Sequence, residues 1–253
     1  MTPSPYRIIQ ISDLHLPAVA GASYRGIDVE AQLQRVLAVI ASRGASDHLL
    51  LTGDNIHGGD EAAYVRLMAV LDRVGIPWSW IPGNHDDGAL MARVRPLPTQ
   101  RCQPPGWQCL LLDSTATPDG KGAGSLSQHS LAQLAAAVAS RIPALVVMHH
   151  NPLPTHSRWQ DAIMLQNRDS FWALVGDLAP GSVVLYGHLH QVWDMTWRGV
   201  RVLSCPSTAV QFKPSLDHLA LETHGAAALP GFRWLELWPD GRLRCGIERV
   251  DLA

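Results

Sequence analysis

Five short apolar segments of this chain each end in a cluster of aspartate, asparagine or histidine residues. The apolar segments have the length and side chains of buried β-strands. In open α/β sheets, ligands collect at the carboxyl ends of the strands, so the loops after neighbouring strands meet at one site. Any one cluster is common, but five in this arrangement favour a metal site. The clusters are Asp13-Leu14-His15, Gly53-Asp54, Gly83-Asn84-His85-Asp86, His149-His150 and Gly187-His188-Leu189-His190.

The third cluster follows an apolar stretch, residues 78–81, that breaks at Pro82-Gly83. A plain turn is the alternative interpretation, because Gly-Asn is a turn signal. A strand that stops at glycine and presents an amide, an imidazole and a carboxylate is nevertheless typical of loops that carry chemistry in α/β domains. The four similar clusters elsewhere in the chain favour this second interpretation.

Strand–helix units make up the first two thirds of the chain, and hairpins make up the last third. Hairpins are predicted around Arg198-Gly199 and Pro239-Asp240-Gly241, and residues 153–170 are predicted to be irregular. With no repeat and no linker, residues 1–253 are predicted to form one domain. The predicted helices begin at an N-cap Asp28, span about Asp60 to Val74, run from an N-cap Ser127 to about Ser140, and lie near residues 171–178.

The composition limits the class of partner. The chain is 47% hydrophobic and 17% charged with a net charge of -2, so no basic field for nucleic acid or a membrane surface is expected. No signal peptide and no window of 18 apolar residues is found, and the cytoplasm is the expected location. The cysteines lack CxxC spacing and are expected to be reduced thiols; they are Cys102, Cys109, Cys205 and Cys245.

Further motifs near the five clusters resemble those of a known family. The chain resembles the calcineurin-like metallophosphoesterase superfamily and, within it, the bacterial class III 3′,5′-cyclic-AMP phosphodiesterases (CpdA-like). The resemblance implies an α/β fold, a four-layer α/β/β/α sandwich of two mixed sheets flanked by helices. The motifs that carry the narrower resemblance are Gln10-Ile11-Ser12-Asp13, Met148-His149-His150 before Pro152-Leu153-Pro154, Cys205-Pro206-Ser207-Thr208, Gln211-Phe212-Lys213-Pro214 and the segment 230–237.

The resemblance also implies two metal sites. The first ion would be held by Asp13, His15 and His190, the second by Asn84, His149 and His188, and Asp54 would bridge both. Carboxylate and imidazole ligands suit borderline divalent ions, so manganese and iron are expected, with zinc, cobalt or magnesium as alternatives. The expected reaction is in-line attack on phosphorus by a metal-activated hydroxide.

The resemblance implies roles for the residues next to these ligands. His85 would be catalytic, contacting the phosphate or protonating the leaving oxygen, and Asn84, His85 and His150 would contact the substrate. His150 is expected either to support a ligand or to lie near the substrate. Apart from the resemblance, Asp86 and Asp87 are candidates to orient His85 or a ligand histidine, with stabilisation of the turn as the alternative for Asp86.

Several loop residues have two open interpretations. They either contact a nucleobase or phosphate or are ordinary loop and core residues. These residues are Tyr24-Arg25-Gly26, Asn55, His57, His156-Ser157-Arg158-Trp159, Asn167 and Gln211-Phe212-Lys213.

The expected function is hydrolysis of 3′,5′-cyclic nucleotides, cyclic AMP first. The alternatives are another phosphodiester or a phosphomonoester, such as a glycerophosphodiester or a nucleotide-linked lipid, and a non-catalytic scaffold of the same fold. The expected partner is a small phosphodiester or cyclic nucleotide, and a homodimer is compatible with the sequence.

Overall fold

The computed structural model describes residues 4–96 and 102–252. Residues 1–3, 97–101 and 253 of the predicted domain lie outside this described part. The strands are β1 (Tyr6–Ile11), β2 (Leu16–Pro17), β3 (His48–Leu51), β4 (Ile56–His57), β5 (Trp78–Trp80), β6 (Gln108–Leu111), β7 (Ala144–Val147), β8 (Val183–Tyr186), β9 (Asp194–Trp197), β10 (Val200–Ser204), β11 (Gln211–Phe212), β12 (Leu221–Glu222), β13 (Gly231–Leu237) and β14 (Leu243–Arg249). The helices are α1 (Val29–Ser42), α2 (Glu61–Asp72), α3 (Gly88–Val94), α4 (Gln128–Ser140), α5 (Arg158–Ala162), α6 (Arg168–Val175) and α7 (Gly225–Ala228).

Two five-stranded sheets form the centre of the molecule. The first has the order β14-β13-β1-β3-β5 and the second β6-β7-β8-β10-β9. In the first sheet β1, β3 and β5 are parallel, whereas β13 and β14 are antiparallel to their neighbours. In the second sheet β6, β7, β8 and β10 are parallel and β9 is antiparallel. Both sheets are therefore mixed, and in each the parallel strands are neighbours, with β5 and β6 at sheet edges.

Three apolar clusters separate four layers. One cluster packs α1 and α2 on the outer face of the first sheet, and a second packs α4 and α6 on the outer face of the second sheet. The third joins the inner faces, where Ile8, Leu50 and Leu235 of the first sheet meet Val147 and Leu185 of the second. Strands β7 and β8 are buried along their whole length because both of their faces are covered. The predicted four-layer α/β/β/α fold is confirmed.

Local sequence signals set the helix boundaries. The Asp28 carboxylate accepts a hydrogen bond from the Ala31 amide at 2.9 Å, and the Ser127 hydroxyl accepts one from Ser130, so both predicted N-caps are confirmed. Helix α2 is shorter than predicted by one residue at its start and two at its end. No helix in the described residues is long and apolar enough to cross a bilayer.

The prediction that residues 153–170 are irregular is wrong in part. This segment contains α5 and the first residues of α6. A five-residue helix is too short to show a 3.6-residue apolar period, so the sequence pattern did not reveal it. The segment is held by Asp161, whose carboxylate accepts hydrogen bonds from the Thr155 amide and hydroxyl at 2.6 and 2.8 Å.

Candidate metal centre

The seven predicted metal ligands meet at the carboxyl ends of strands from both sheets. Asn84 is half-buried and the other six side chains are buried. Each follows a parallel strand, which is why segments far apart in the sequence converge. The seven are Asp13 and His15 after β1, Asp54 after β3, Asn84 after β5, His149 after β7, and His188 and His190 after β8.

Asp54 lies between two groups of histidines. Its Oδ2 atom is 3.6 Å from Nε2 of His15, and its Oδ1 atom is 3.4 Å from Nε2 of His149. The two oxygens of one carboxylate thus face different histidines. This is the arrangement that a bridging carboxylate requires.

One group lies on the Oδ2 side of Asp54. The Nε2 atoms of His15 and His190 are 3.0 Å apart, and Nε2 of His190 is 3.4 Å from Oδ1 of Asp13. Nitrogen and oxygen donors from these three residues all lie within 4.8 Å of one another, close enough to hold one metal ion.

A second group lies on the Oδ1 side. Nε2 of His149 is 3.2 Å from Oδ1 of Asn84 and 3.2 Å from Nδ1 of His188. The carbonyl oxygen of an asparagine can ligate a metal without adding charge. The second group therefore offers two imidazoles and one neutral oxygen beside the shared carboxylate.

Hydrogen bonds on the far side of two rings orient their lone pairs toward the centre. Nδ1 of His149 lies 2.8 Å from the carbonyl oxygen of Thr52, and Nδ1 of His190 lies 2.7 Å from that of Val210. A carbonyl only accepts, so each Nδ1 carries a hydrogen, and in its neutral form each ring turns an Nε2 lone pair inward. These lone pairs face carboxylate and amide oxygens, which are also acceptors. Acceptors that face one another need a cation between them, so the donor set fits divalent ions.

Burial and mutual repulsion keep most of the histidines neutral. Burial lowers the pKa of His15 and of His188 well below the usual range and lowers the pKa of His190 to about 3. Burial also lowers the pKa of His149, but the charge and hydrogen bond of Asp54 outweigh it and raise that pKa to about 9. Neutral imidazole is the form that binds a metal.

The two carboxyl groups respond oppositely to burial. Burial raises the pKa of Asp13 to about 7. For Asp54, burial also acts to raise the pKa, but the charge of His149 and its hydrogen bond lower it well below the usual range. Asp54 is therefore ionised at neutral pH, as a ligand shared by two cations must be.

Most of the predicted ligands have a backbone conformation that non-glycine residues rarely adopt. Their φ angles are 48° to 68°, in the left-handed region. Such strain persists only where the surrounding structure enforces it, and it clusters at functional sites. The sequence patterns gave no sign of it. The residues concerned are Asp13, His15, Asp54, His188 and His190.

Two glycines allow the loops to approach one another. A Cβ atom on Gly83 would lie 2.2 Å from Oδ1 of Asp54, and one on Gly187 would lie 2.1 Å from the Ser12 hydroxyl oxygen. Neither position can accept a side chain without displacing a neighbouring loop. The glycines that precede Asn84 and His188 in the sequence motifs are therefore needed for close packing of the ligand loops.

His85 lies at the mouth of the site and is exposed. Its backbone N–H donates to Oδ1 of Asp54 at 2.9 Å. Its ring centroid is 5.0 Å from that of His15 and 4.7 Å from that of His57. The predicted catalytic histidine thus lies beside the candidate ligands without replacing any of them, and His57 is brought to the site as its neighbour.

Asp86 ties the loop after β5 to the loop after β3. One oxygen accepts hydrogen bonds from the amides of Asn55 and Gly83 and from the Asn55 side chain, and the other accepts from the Ile56 amide and the Tyr64 hydroxyl. Asp87 caps α3 by accepting from the Ala89 and Leu90 amides. Of the two predicted roles for these aspartates, the structure therefore supports turn stabilisation, since neither contacts a histidine through these bonds.

His150 supports a neighbouring loop. It is fully buried, its Nδ1 lies 2.8 Å from the Ser114 hydroxyl oxygen, and its Nε2 lies 3.1 Å from the Gly122 carbonyl oxygen. Both ring nitrogens are therefore engaged by the protein. His150 also lines the cavity, so its contact with the substrate stays a prediction.

A cavity of about 750 Å³ opens above the candidate ligands. Of the loop residues with open interpretations, Tyr24, Arg25, Trp159 and Phe212 line it. Others have structural partners. Asn167 bonds the backbone of Leu126, Gln211 bonds that of Ser207, and Arg158 pairs with Asp217. The described cysteines are free thiols, as predicted.

Comparison with curated sequences shows similarity along almost the whole chain. A family model described as calcineurin-like phosphoesterase matches residues 6–192. The chain is 33% identical to a protein named 3′,5′-cyclic adenosine monophosphate phosphodiesterase CpdA from Haemophilus influenzae, over 98% of this chain and 91% of that protein. It is 35% identical to a protein of the same name from Pseudomonas aeruginosa, over 96% and 90% of the two chains.

A solved structure shows the same fold. The dimetal phosphatase from Danio rerio aligns with a TM-score of 0.70, over 98% of this chain and 96% of its own, at 15% sequence identity. At this identity the likeness concerns the fold alone.

Proposed function

Because the chain belongs to the calcineurin-like phosphoesterase family, we propose that it is a phosphodiesterase that hydrolyses 3′,5′-cyclic nucleotides, cyclic AMP first among them. The observation that carries the proposal is the placement of Asp54 between two groups of histidines. One ionised carboxylate between two groups of nitrogen and oxygen donors suits a pair of cations, and a pair of cations suits a phosphodiester anion.

The proposed ligands follow from the two groups. Asp13, His15 and His190 would hold one ion, Asn84, His149 and His188 the other, and Asp54 both. Nitrogen and oxygen donors without thiolate favour manganese or iron, with zinc, cobalt or magnesium as alternatives. When bound, the two ions would polarise the phosphoryl oxygens and lower the pKa of a water molecule.

The chain's own residues would orient the substrate and move the proton. The amide nitrogen of Asn84 stays free to donate to a phosphoryl oxygen when its carbonyl oxygen faces His149. The imidazole of His85, exposed at the cavity mouth, would give a proton to the leaving oxygen. The Asp86 hydrogen bonds hold both residues by fixing the turn that carries them.

The alternative functions differ in their support. A different phosphodiester or a phosphomonoester would use the same ligands, so the site does not favour it over a cyclic nucleotide, whereas the names of the relatives favour the cyclic nucleotide. A non-catalytic scaffold would have no need for the full ligand set and the exposed His85, both of which are present. The homodimer, the cytoplasmic location and the single domain over residues 1–253 stay predictions.

The test is steady-state hydrolysis of 3′,5′-cyclic AMP by Mn²⁺-loaded protein, with bis(p-nitrophenyl) phosphate measured in parallel. We expect turnover of cyclic AMP that a chelator abolishes and added Mn²⁺ restores. Rapid cleavage of the synthetic diester with negligible turnover of cyclic AMP would contradict the proposed substrate. Binding of well under one ion per chain after reconstitution would instead favour the scaffold.

A further inference from the structure

A cationic and aromatic wall borders the cavity on the side of the first candidate ion group. We propose that this wall, formed by Tyr24, Arg25, Trp159 and Phe212, is the nucleoside subsite, and that the Arg25 guanidinium recognises the base. The inference rests on the proposed function, since it names the part of a cyclic nucleotide that lies outside the reacting phosphate. All four residues line the cavity above the candidate ligands.

The aromatic rings of the wall are stacked on the candidate ligands. The ring of Tyr24 lies parallel to that of His15 at 4.5 Å, and the ring of Phe212 lies nearly parallel to that of His190 at 4.1 Å. Each histidine therefore covers one face of an aromatic ring.

Arg25 lies beside both aromatic rings. Its guanidinium carbon is 5.4 Å from the centroid of Tyr24 and 5.8 Å from that of Phe212. The position is suited to a cation–π contact with both rings, and Arg25 itself lines the cavity. Arg25 is exposed at the cavity, whereas the candidate ligands other than Asn84 are buried. We therefore assign the guanidinium to the group attached to the phosphate rather than to the phosphate itself.

The donors of Arg25 are available to a ligand. Nε donates to the Tyr24 hydroxyl at 3.2 Å, whereas the two terminal nitrogens have no hydrogen-bond or ion-pair partner within residues 4–96 and 102–252. The side chain is exposed. A planar group with free N–H donors matches a nucleobase, which has a flat face for stacking and acceptor atoms along its edge.

The dimensions of the cavity agree with this assignment. Its volume of about 750 Å³ exceeds what a phosphodiester group needs and lies within the range of sites for small organic ligands. The rings of Trp159 and Phe212 meet at 77° with their centroids 5.4 Å apart, so Trp159 adds another aromatic side chain at this side of the cavity. Base stacking on such surfaces contributes strongly to nucleotide binding.

The chain contains a matched control for Arg25. Arg25-Gly26 forms a two-residue turn in which Tyr24 and Ile27 exchange backbone hydrogen bonds, and both central φ angles are positive. Arg198-Gly199 forms the same kind of turn between β9 and β10, with φ angles of 48° and 79°. Asparagine is favoured at this turn position, so Arg→Asn preserves the fold at either site.

The experiment measures direct binding to the Mn²⁺-loaded full-length chain by equilibrium dialysis. Labelled adenosine reports on a nucleoside without phosphate, and labelled inorganic phosphate reports on phosphate without a nucleoside. We expect Arg25→Asn to raise the Kd of adenosine by roughly tenfold or more and the KM of cyclic AMP with it, because a charge-assisted hydrogen bond is lost. The Kd of phosphate should change by less than about twofold, and Arg198→Asn should change neither constant. Arg25→Lys should also weaken adenosine binding, because lysine keeps the positive charge but lacks the planar guanidinium group.

An unchanged adenosine Kd in Arg25→Asn, no adenosine binding by the wild-type protein, or full retention of binding in Arg25→Lys would overturn the subsite. A larger effect on phosphate than on adenosine would also overturn it, because Arg25 would then serve the phosphate. If the wild-type protein does not hydrolyse cyclic AMP but Arg25→Asn still raises the Kd of adenosine, the proposed function fails and the subsite stands. If cyclic AMP is hydrolysed and Arg25→Asn binds adenosine as the wild-type protein does, the proposed function stands and the subsite fails.

Discussion

Asp54 and His149 follow strands of different sheets, and their Oδ1 and Nε2 atoms lie 3.4 Å apart. The contact joins β3 of the first sheet to β7 of the second at the carboxyl ends of both. The second oxygen of Asp54 turns to His15, which follows β1. One carboxylate thereby connects the two candidate ion sites across the junction of the sheets.

We expect Asp54→Ala to abolish tight binding of both ions, because one side chain serves both groups. Metal content after reconstitution with Mn²⁺ and removal of free ion measures this directly. The control is Asp240→Ala, which replaces an exposed aspartate in the turn between β13 and β14. This variant should bind as much Mn²⁺ as the wild-type protein does. Retention of two ions per chain by Asp54→Ala would refute the shared carboxylate.

Asp86→Asn is expected to destabilise the protein by about 1–3 kcal/mol. The carboxylate accepts hydrogen bonds from backbone and side-chain donors on two loops, and an amide would point an N–H group at some of them. Urea unfolding of the metal-free protein gives the change in the free energy of unfolding. Asp87→Asn is the matched control, because asparagine caps a helix as well as aspartate does. Equal stability of Asp86→Asn and wild type would contradict the inferred role.

Gly83→Ala should weaken ion binding, because the added Cβ would lie 2.2 Å from Oδ1 and 2.3 Å from the backbone nitrogen of Asp54. Gly88→Ala, five residues along the chain, is the control. Its Cβ would meet only Pro82 at 4.0 Å, at the start of α3 where alanine is a good helix former. Titration of each metal-free variant with Mn²⁺ compares the two. Equal Mn²⁺ affinities of the two variants would show that the loops carrying Asp54 and Gly83 can move apart without weakening ion binding.

Much of the fold follows from the order of strands and helices in the sequence. The alternation of apolar segments with helical patterns gives the parallel strands, and the late hairpins give the antiparallel strands β9, β13 and β14. Convergence of the candidate ligand positions within each sheet follows as well, because neighbouring parallel strands end at the same edge of that sheet. The short helices α3 and α5 were missed because seven and five residues carry little periodic signal.

The details of the site are less accessible to sequence patterns. The positive φ angles of Asp13 and His190 depend on contacts between loops that are distant in the chain. The role of Asp86 likewise depends on amides of Asn55 and Ile56, about 30 positions earlier. A pattern of residue types identifies which side chains can do chemistry. It does not identify which of them hold the backbone of another loop.

The stability of the protein should respond to pH through a histidine outside the metal centre. Burial, with the nearby charge of Arg95, lowers the pKa of His48 to about 4, and its Nε2 lies 3.0 Å from the Ser79 hydroxyl oxygen. Arg95 itself pairs with Asp72. Below pH ~6.5 the unfolded chain binds a proton at His48 that the folded chain does not bind, so stability falls as the pH drops from ~6.5 to about 4.

His48→Gln keeps a hydrogen-bonding group and removes this titration. We expect the loss of stability between pH 7.5 and pH 5 to be smaller in the variant by on the order of 1–2 kcal/mol. Urea unfolding at both values measures the difference, and the exposed His129→Gln serves as the control. Identical pH dependence in His48→Gln and wild type would show that His48 titrates alike in the folded and unfolded states.

His85→Ala should retain both ions and lose turnover by roughly 10²–10⁴-fold, the usual contribution of a general acid or base. The ring is exposed at the cavity mouth and contacts His15 and His57 only through ring packing, so the ligand set does not depend on it. Metal content and kcat for cyclic AMP separate the two effects, and His129→Ala is the control on α4. A normal rate would remove His85 from the mechanism. Loss of metal together with rate would instead show that its ring, and not only its backbone bond to Asp54, maintains the ligands.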